Sequence, residues 1–380
     1  MIVHIAQSAG GVKEYLYMLL KNMNPKYINI LILSEEYKKY QKEFEKVSQD
    51  IYYVPMTRDV SIVKDIKAII NVKKILKNIH PNIVYCHSSK AGAIGRIALL
   101  LNRKIKVIYN AHGWYFNAEI PKVKKKIFAF IERMLAKKTN IIINISESEL
   151  ESALNYKIAK KEKMLIIKNC IDFEKYKIDL KQARIISRKQ YNIEDNEILI
   201  GTVGRIAEQK NPLLMYRAFK KINEKYPNTK LIYVGDGNLK EELLKNVQND
   251  NLTDKVIITG WVEKTQNVIP AIDIAVLPSK WEGFGLVLIE YMLCDKAIVA
   301  SATGGILDII KDDENGLLFK NDDENSLYEK IELLIEKEEI GRKMIENNKS
   351  YRNIYEIEKL EKEHEKIFEE LTWWQIFWKI

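Results

Sequence analysis

The chain has 380 residues, of which 47% are hydrophobic and 30% are charged, and its formal net charge is +9. A chain of this length is too long for one ordinary hydrophobic core, which predicts two domains. No apolar run approaches the roughly 18 residues that span a bilayer, and no signal-peptide pattern opens the chain, so we expect a cytoplasmic protein. The three cysteines are scattered and odd in number, which argues against a disulfide framework and against a zinc site.

The positive charge favours an anionic partner, which leaves nucleic acid, a phospholipid surface and a phosphate-bearing substrate. Nucleic acid is the weakest of the three, because the sequence contains no zinc finger, RNP-type aromatic strand or basic recognition helix. We therefore expect no nucleic-acid partner.

In the first half of the chain, strand-like and helix-like segments alternate from Met1 to about Ile171, and this alternation predicts a parallel sheet. The predicted strands are Ile2 to Ala6, Ile28 to Leu33, Ile51 to Val54, Ile83 to Cys86, Lys106 to Asn110, Ile141 to Ile145 and Met164 to Ile167. The predicted helices include Val12 to Met23, Ile62 to Asn78, Ala91 to Asn102 and Lys122 to Lys138.

The alternation stops over residues 172–195, a polar and Lys-rich stretch that we expect to be a linker, and it resumes at Ile198. The whole pattern predicts an α/β protein of two doubly wound, Rossmann-like domains that face each other across a cleft. Ligands of such sheets bind at the carboxyl ends of the strands. The expected boundaries are 1–171 for the first domain, 172–195 for the linker, 196–350 for the second domain and 351–380 for a last helix.

Two loops of the first half carry candidate site residues. Gly10 and Gly11 follow the first strand and open a helix, which brings backbone amides to the cleft but equally fits a plain turn. They do not form a Gly-x-Gly-x-x-Gly fingerprint, so a dehydrogenase is a poor interpretation. His112 lies just past a strand end and is followed by Gly113, which favours a functional histidine, whereas His4 inside the first strand is expected to be structural.

In the second half, a basic loop follows the strand that begins at Ile198. Its residues run Gly204-Arg205-Ile206-Ala207-Glu208-Gln209-Lys210, and a helix opens at Asn211 or Pro212. This spacing predicts that Arg205 and Lys210 lie at the carboxyl edge of the sheet. There, arginine can hold a diphosphate through two hydrogen bonds, and lysine acts as a point charge.

The segment from Trp281 to Glu290 places two glutamates eight positions apart, around a glycine-rich turn that enters an apolar helix. Because a short strand is predicted just before it, we expect Glu282 on a strand-to-helix loop and Glu290 inside the helix. The amides from Phe284 to Val287 open that helix and favour an anion such as a diphosphate. Taken alone, the glutamate pair also fits an acidic helix cap followed by a solvated side chain.

The full pattern Pro-Ser-x-x-Glu-Gly-Phe-Gly-Leu-x-x-x-Glu resembles the Glu-x7-Glu motif of retaining GT-B glycosyltransferases of family 4, which include bacterial capsule, exopolysaccharide and lipopolysaccharide enzymes. The basic loop is similar to the Gly-Arg-x4-Lys element of the same family. The resemblance covers roughly residues 1 to 350. It implies a GT-B fold in which residues 1–171 form the acceptor-side domain, residues 196–350 form the nucleotide-sugar domain, and the last helix, 351–380, crosses back to the first domain. It also implies transfer of a sugar, with retention, from a nucleotide diphosphate (UDP or GDP) to a hydroxyl of a polyprenyl-diphosphate-linked glycan during surface polysaccharide synthesis.

The resemblance also implies roles for individual residues. The implied catalytic residues are Glu282 at the sugar, His112 at the sugar or its phosphate, and the cations Arg205 and Lys210 at the leaving diphosphate. Glu290 is implied at the ribose, and the implied contacts to the rest of the sugar donor are Gly10, Gly11, Trp261, Val262, Phe284, Gly285 and Leu286. No metal and no other cofactor is implied, because the two cations take the place of a metal at the diphosphate.

Two rival functions are weighed against a transferase. A nucleotide-sugar epimerase on the same scaffold would turn over its substrate without an acceptor, and a non-catalytic protein would bind glycan or lipid. The combination of the glutamate pair with the basic loop argues against both.

Two segments suggest a membrane surface. Pro121 to Ile131 combine lysines with aromatic residues, as do helices that adsorb to anionic lipid. Near the C-terminus, Ile367, Leu371, Trp374 and Trp378 share one helical face, which equally predicts packing onto the first domain. With a lipid-linked acceptor, these segments predict a protein that is peripheral on the inner face of the cytoplasmic membrane.

Overall fold

A computed structural model describes residues 1–7, 10–57 and 59–377 of the protein, with side chains described as far as Thr372. The chain divides into two compact units. The first unit consists of residues 1–170 together with the chain from Ile357 onward, and the second consists of residues 171–356. Within the described residues, no helix combines the length and the apolar character that crossing a bilayer requires.

The first unit is built on a parallel sheet with the strand order β3-β2-β1-β4-β5-β6-β7. Its strands are β1 (Ile2–Ala6), β2 (Asn29–Ser34), β3 (Asp50–Val54), β4 (Ile83–His87), β5 (Lys106–Asn110), β6 (Ile141–Asn144) and β7 (Met164–Ile166). The helices that connect them are α1 (Gly11–Asn22), α2 (Gln41–Phe44), α3 (Ile62–Ile79), α4 (Ser89–Ala98), α5 (Lys122–Ala136) and α6 (Glu147–Asn155). The order reverses direction between β1 and β4, which is the place where doubly wound sheets bind ligands.

The second unit repeats this plan with the strand order β10-β9-β8-β11-β12-β13. Its helices are α7 (Leu180–Gln190), α8 (Pro212–Lys225), α9 (Lys240–Asn249), α10 (Leu286–Leu293), α11 (Ile306–Ile309), α12 (Glu324–Glu336) and α13 (Glu338–Tyr351). Its strands are β8 (Ile198–Val203), β9 (Thr229–Val234), β10 (Val256–Ile258), β11 (Ile274–Leu277), β12 (Ala297–Ser301) and β13 (Leu317–Phe319). The last helix, α14 (Ile357–Phe377), belongs to the first unit.

Apolar residues on both faces of the first sheet make its strands nearly continuous hydrophobic runs. On β5, Val107 and Tyr109 enter one buried cluster and Ile108 enters another on the opposite face. Such runs are typical of parallel sheets that are covered by helices on both sides. α14 covers part of the second face, where Ile367 is buried and Leu371 packs beside it. Of the predicted C-terminal face, Trp378 and the side chain of Trp374 lie outside what the structure describes.

The strand and helix predictions for the first half are confirmed to within a few residues, except that α4 ends at Ala98 rather than at Asn102. The two-sheet α/β class is confirmed as well. The strands β12 and β13 were not predicted.

The structure differs from the linker prediction for residues 172–195. This stretch contains α7, capped by Asp179, and lies inside the second unit. Arg184 donates to one oxygen of Asp273 at 2.6 Å, and Arg188 donates to the other at 3.2 Å. The polar composition that suggested a linker therefore includes arginines that bind a carboxylate far along the chain.

Candidate active site

The two motifs of the second unit lie side by side, because the strands that precede them are neighbours. β8 and β11 pair in parallel, with Ile200 opposite Ile274. The loops after them also touch: the Lys280 amide donates to the Gln209 carbonyl at 2.9 Å, and Gln209 Nε2 donates to the Trp281 carbonyl at 3.2 Å. The fold thus brings residues 204–210 against residues 278–285.

At the centre of this contact, Lys210 and Glu282 form an ion pair. Lys210 Nζ lies 2.5 Å from Glu282 Oε2, and Ser279 Oγ donates to the same oxygen at 3.1 Å. The two side chains are 19% and 12% exposed. A charge pair of this kind is strengthened by partial burial and fixes the direction of both side chains. The sequence predicted both residues for the site but did not predict that they bind each other.

Arg205, the other predicted cation, occupies a more open position on the same loop. Its side chain is exposed, and its Nη2 donates to Gln209 Oε1 at 3.0 Å. Gln209 therefore links the arginine to the backbone at Trp281. An exposed guanidinium at the carboxyl edge of the sheet is able to reach a bound anion.

The glycine-rich turn before α10 is shaped by close backbone packing. Gly285 has φ +99°, in the left-handed region that favours glycine, and α10 begins at Leu286. The turn rests on Gly304, whose φ is +48°; a Cβ there would lie 2.2 Å from the Glu282 carbonyl oxygen. The neighbouring amide of Gly305 donates to that same carbonyl at 2.9 Å. The sequence prediction missed this Gly-Gly pair. It follows β12 at the same sheet edge, and a pair of glycines directly after an apolar segment was the signal that could have indicated it.

Phe284 and Leu286 have different environments. The Phe284 ring is buried and packs edge-on against Tyr355 at 5.8 Å, so this side chain anchors the turn. Leu286 is partly exposed. The predicted contact with an anion therefore falls to the first backbone amides of α10, because the first amides of a helix have no partner inside the helix.

Glu290 lies on α10 as predicted, and its carboxylate is held by two residues that the sequence analysis missed. Thr265 Oγ1 donates to Glu290 Oε2 at 3.0 Å. The pKa of the Tyr176 hydroxyl is raised well above its usual range, mainly because the group is buried and to a lesser extent because the Glu290 carboxylate is nearby. Both partners are distant in sequence and lie in short 3₁₀ turns, so no local pattern pointed to them.

The predicted contacts to the nucleotide base lie in a glycine-linked loop after β10. Trp261 is 79% exposed, and Val262 beside it is partly buried. The preceding Gly260 forms a bridge with Gly235. A Cβ on Gly235 would lie 2.0 Å from the Gly204 carbonyl oxygen, so the loop after β9 packs directly on the loop that carries Arg205.

In the first unit, Gly10 and Gly11 are exposed at the start of α1. A Cβ on either would meet no described atom within 4 Å, so packing does not demand glycine there. This absence of crowding leaves the backbone accessible to a ligand.

His112 follows β5 with φ +53° and belongs to a row of histidines. Its Nε2 lies 3.1 Å from Nδ1 of His87. Burial is the main cause, and the nearby His364 a smaller one, that lowers the pKa of His112 to about 3, so the ring is neutral at pH 7. His87 is completely buried, and its two ring nitrogens are hydrogen-bonded to His112 and His4. His4 is also completely buried, and its second ring nitrogen is hydrogen-bonded to Asn29.

Among the described residues, no group of three or more histidine, cysteine, aspartate or glutamate side chains is arranged to hold a metal ion.

Two family models match the chain. Residues 9–175 match the model described as Glycosyltransferase Family 4, and residues 183–351 match the model described as Glycosyl transferases group 1. Together they include the loops of both units that carry the predicted site residues.

Curated relatives match most of the chain. It is 32% identical over 279 residues to the UDP-Gal:alpha-D-GlcNAc-diphosphoundecaprenol alpha-1,3-galactosyltransferase of Escherichia coli, covering 72% of each chain. It is 28% identical over 332 residues to the capsular polysaccharide biosynthesis glycosyltransferase CapM of Staphylococcus aureus, covering 83% of this chain and 85% of CapM.

Solved structures share the fold at lower identity. Anabaena Alr3699/HepE in complex with UDP matches with a TM-score of 0.82 at 19% identity, covering 97% of this chain and 99% of that chain. The lipopolysaccharide glycosyltransferase WaaG matches with a TM-score of 0.77 at 15% identity, with the same coverage.

Proposed function

Because the chain belongs to the GT-B glycosyltransferases of family 4, we propose that it moves a sugar, with retention, from a nucleotide diphosphate to a hydroxyl of a polyprenyl-diphosphate-linked glycan. The glycan is an intermediate of a bacterial surface polysaccharide. Support for the acceptor class comes from the names of two relatives, the galactosyltransferase of Escherichia coli and a diphospho-undecaprenol-dependent N-acetylgalactosaminyltransferase of Campylobacter jejuni.

The observation that carries this proposal is the Lys210–Glu282 pair at the joined ends of β8 and β11. A sugar diphosphate bound there meets a cation and a carboxylate a few ångströms apart, which suits a reaction that separates charge. Lys210 and Arg205 stabilise the negative charge that builds on the departing diphosphate, together with the first amides of α10. Glu282 faces the sugar and supports the positive charge that develops at its anomeric carbon.

The bond between the anomeric carbon and the diphosphate oxygen breaks, and a bond to the acceptor oxygen forms on the same face of the sugar. The acceptor hydroxyl loses its proton to the departing diphosphate. No covalent sugar–enzyme intermediate is proposed. With two cations and helix amides at the diphosphate, the reaction requires no divalent ion.

We further propose a uridine diphosphate as the sugar donor. A relative is named for UDP-Gal, and HepE was solved with UDP and with UDP-glucose. Glu290, oriented by Thr265, binds the ribose diol, while the loop of Trp261 and Val262 flanks the base. GDP is the alternative base that the experiment includes.

The proposed site of membrane attachment is the outer face of α5 with α3 nearby. On α5, apolar side chains at a spacing of three and four residues are exposed: Val123 at 69%, Ile127 at 51%, Phe130 at 58% and Met134 at 46%. Three lysines of its first turns flank this stripe: Lys122, Lys124 and Lys126. α3 exposes a second apolar stripe, and α4 contacts both helices. An apolar stripe edged by lysines is complementary to an anionic lipid surface.

Calorimetric titration tests the sugar-donor site. We expect UDP and one UDP-sugar to bind the unaltered protein in the presence of EDTA, and Arg205→Ala and Glu290→Gln to abolish or strongly weaken that binding. Lys225→Ala, on an exposed face of α8, is the matched control and should bind normally. Binding of GDP alone would correct the base, and binding of no nucleotide by folded protein would overturn the proposal.

Transfer to an undecaprenyl-diphosphate-linked sugar tests the reaction, and turnover without any acceptor would instead indicate an epimerase. Attachment is tested separately by sedimentation with vesicles that contain anionic lipid. Phe130→Ser should reduce sedimentation, and Ile185→Ser, which changes an exposed isoleucine of α7 in the second unit, should not. Equal sedimentation of both variants would contradict the α5 surface.

A further inference from the structure

A row of four hydrogen-bonded side chains in the first unit ends at His112. Asn29 Oδ1 lies 3.2 Å from His4 Nε2, His4 Nδ1 lies 3.2 Å from His87 Nε2, and His87 Nδ1 lies 3.1 Å from His112 Nε2. Asn29, His4 and His87 are buried, whereas His112 is partly exposed. The row comes from β2, β1 and β4, which are adjacent strands, and from the loop after β5.

Each neutral imidazole carries one proton, so one of its nitrogens donates and the other accepts. In a row of such rings, the choice at one end therefore decides the choice at every other ring. Burial lowers the pKa of His4 to about 3 and that of His87 well below its ordinary value, so both rings are neutral at pH 7.

The Asn29 amide sets the direction of the row. Asn29 Nδ2 donates to the Tyr27 carbonyl at 3.4 Å, which turns Oδ1 towards His4. The opposite rotamer would place the two oxygens of Asn29 and Tyr27 against each other. Because Oδ1 only accepts, His4 must donate from Nε2 and accept at Nδ1. His87 then donates from Nε2 and accepts at Nδ1, and His112 donates from Nε2.

We propose that Asn29, His4 and His87 are positioning residues that hold His112 as the Nε2–H tautomer, with Nδ1 left unprotonated. This inference rests on the proposed function and on the role that the resemblance implies for His112, at the donor sugar or its phosphate. A ring in this state offers the substrate a hydrogen-bond acceptor, so it receives a bond from a sugar hydroxyl and does not donate one from Nδ1 to a phosphate. The choice between these two contacts is made at Asn29, three residues along the row from His112.

The same unit contains an internal reference of the opposite kind. His364 on α14 lies 2.7 Å from the Leu360 carbonyl through Nδ1, so Nδ1 must donate there. Its Nε2 lies 2.9 Å from the Tyr15 hydroxyl and accepts from it. His364 is therefore expected as the Nδ1–H tautomer, and its state does not depend on the row.

Histidine-selective ¹⁵N labelling of the full chain, read by long-range ¹H–¹⁵N correlation at pH 7 without ligand, tests the assignment. Single-histidine substitutions assign the five rings. We expect protonated Nε2 for His4, His87 and His112 and protonated Nδ1 for His364. A protonated Nδ1 on His112 would overturn the inference, whatever the protein transfers.

Two substitutions of His87 separate positioning from packing. In His87→Asn the side-chain oxygen takes the place of Nδ1 and still accepts from His112, so we expect the tautomer to persist and kcat to stay within about threefold. His87→Leu fills similar space without an acceptor, and the loss of one hydrogen bond should populate the other tautomer and lower kcat about five- to tenfold. Equal rates and equal spectra for the two variants would contradict the proposal.

Asn29→Leu provides a variant that does not touch His87. A leucine at this position fills similar space but removes the acceptor for His4 Nε2, so the Nδ1–H form of His112 should appear beside the Nε2–H form, and an unchanged Nε2 proton on His112 would overturn the inference. If His112 has the expected tautomer but no sugar is transferred to any acceptor, the proposed function fails and the row remains. If transfer occurs with the other tautomer, only the row fails.

Discussion

The candidate site residues of the two units are positioned by different means. In the second unit, loops 204–210, 235–237 and 278–285 are packed backbone against backbone, and glycines make the contacts: a Cβ on Gly235 or Gly304 would lie 2.0 or 2.2 Å from a carbonyl oxygen. In the first unit, His112 is positioned by side chains through a row of buried imidazoles. The geometry of the second-unit loops therefore depends on the size of the residues at their contacts. The orientation and protonation of His112 in the first unit depend on which ring nitrogens carry protons. We expect the two units to respond to different perturbations.

The largest expected difference between the two units is in how their stability responds to acid. All five histidines of the sequence lie in the first unit, at positions 4, 80, 87, 112 and 364, and residues 171–356 contain none. Burial lowers the pKa of His4 to about 3 and that of His364 to about 4, and it lowers the pKa of His87 strongly as well. These groups bind protons in the unfolded chain below its pKa of about 6.5 but not in the folded unit, so stability is present above pH 6.5 and is lost as the pH falls.

Each of these three buried histidines should cost up to about 1.4 kcal/mol of unfolding free energy per pH unit below 6.5. Hydrogen exchange followed by mass spectrometry between pH 7.5 and 5 measures the effect region by region. The strands β1, β4 and β5 should exchange progressively faster than β8, β9 and β11 after correction for the intrinsic pH dependence. Parallel loss of protection in both units would contradict the prediction.

The second-largest effect is expected at the Lys210–Glu282 pair. Lys210→Ala and Glu282→Gln should each lower kcat/KM about 10²- to 10³-fold, because each removes an oriented charge from the transition state. The double variant should lose much less than the product of the two losses, since the residues act as a unit. Steady-state transfer assays measure this, with Lys225→Ala as the control at another lysine–glutamate pair. Fully multiplicative losses would show that the two residues act independently.

A smaller effect is expected on the shape of the second-unit loops. Gly304→Ala places a methyl group against the Glu282 carbonyl at a residue with φ +48° and should cost about 1–3 kcal/mol of stability. Gly10→Ala in the first unit meets no described atom and should change stability by less than about 0.5 kcal/mol. Urea unfolding monitored in both units compares the two variants. Equal losses would mean that backbone crowding does not distinguish the two regions.

How far the sequence predicted the molecule follows the same division. Alternating apolar segments predicted the strands of the first sheet, and the glycines and charges of residues 204–210 and 281–290 predicted the second-unit loops, because those features are local in the chain. The Lys210–Glu282 contact joins residues 72 positions apart, and the link from Arg184 to Asp273 spans 89. Pairings at that distance depend on strand order, which the pattern of segments did not supply.

The histidine row shows the same limit more sharply. His4 was expected to be structural, yet the fold places it beside His87 on the adjacent strand with their rings in line. β1 and β4 are separated by more than 70 residues of chain and two further strands. A proton-sharing contact across them leaves no periodic pattern in the sequence.

The smallest predicted effect concerns Thr265, which combines both means of positioning. It is a side-chain contact, as in the first unit, but it lies in the second unit and orients Glu290 through one hydrogen bond of 3.0 Å. Thr265→Val keeps the shape of the side chain and removes the donor, so it should weaken UDP binding by about 1 kcal/mol, which is about fivefold in Kd. Thr265→Ser retains the hydroxyl and should bind nearly as tightly as the unaltered protein.

Titration of both variants with UDP measures the contribution of the hydroxyl. If the valine and serine variants bind UDP equally tightly, Glu290 is oriented by Tyr176 and the surrounding backbone rather than by the threonine. If valine alone is weakened while the melting temperature of both is unchanged, the contact acts on the ligand and not on the fold, because a purely structural role would lower stability together with affinity.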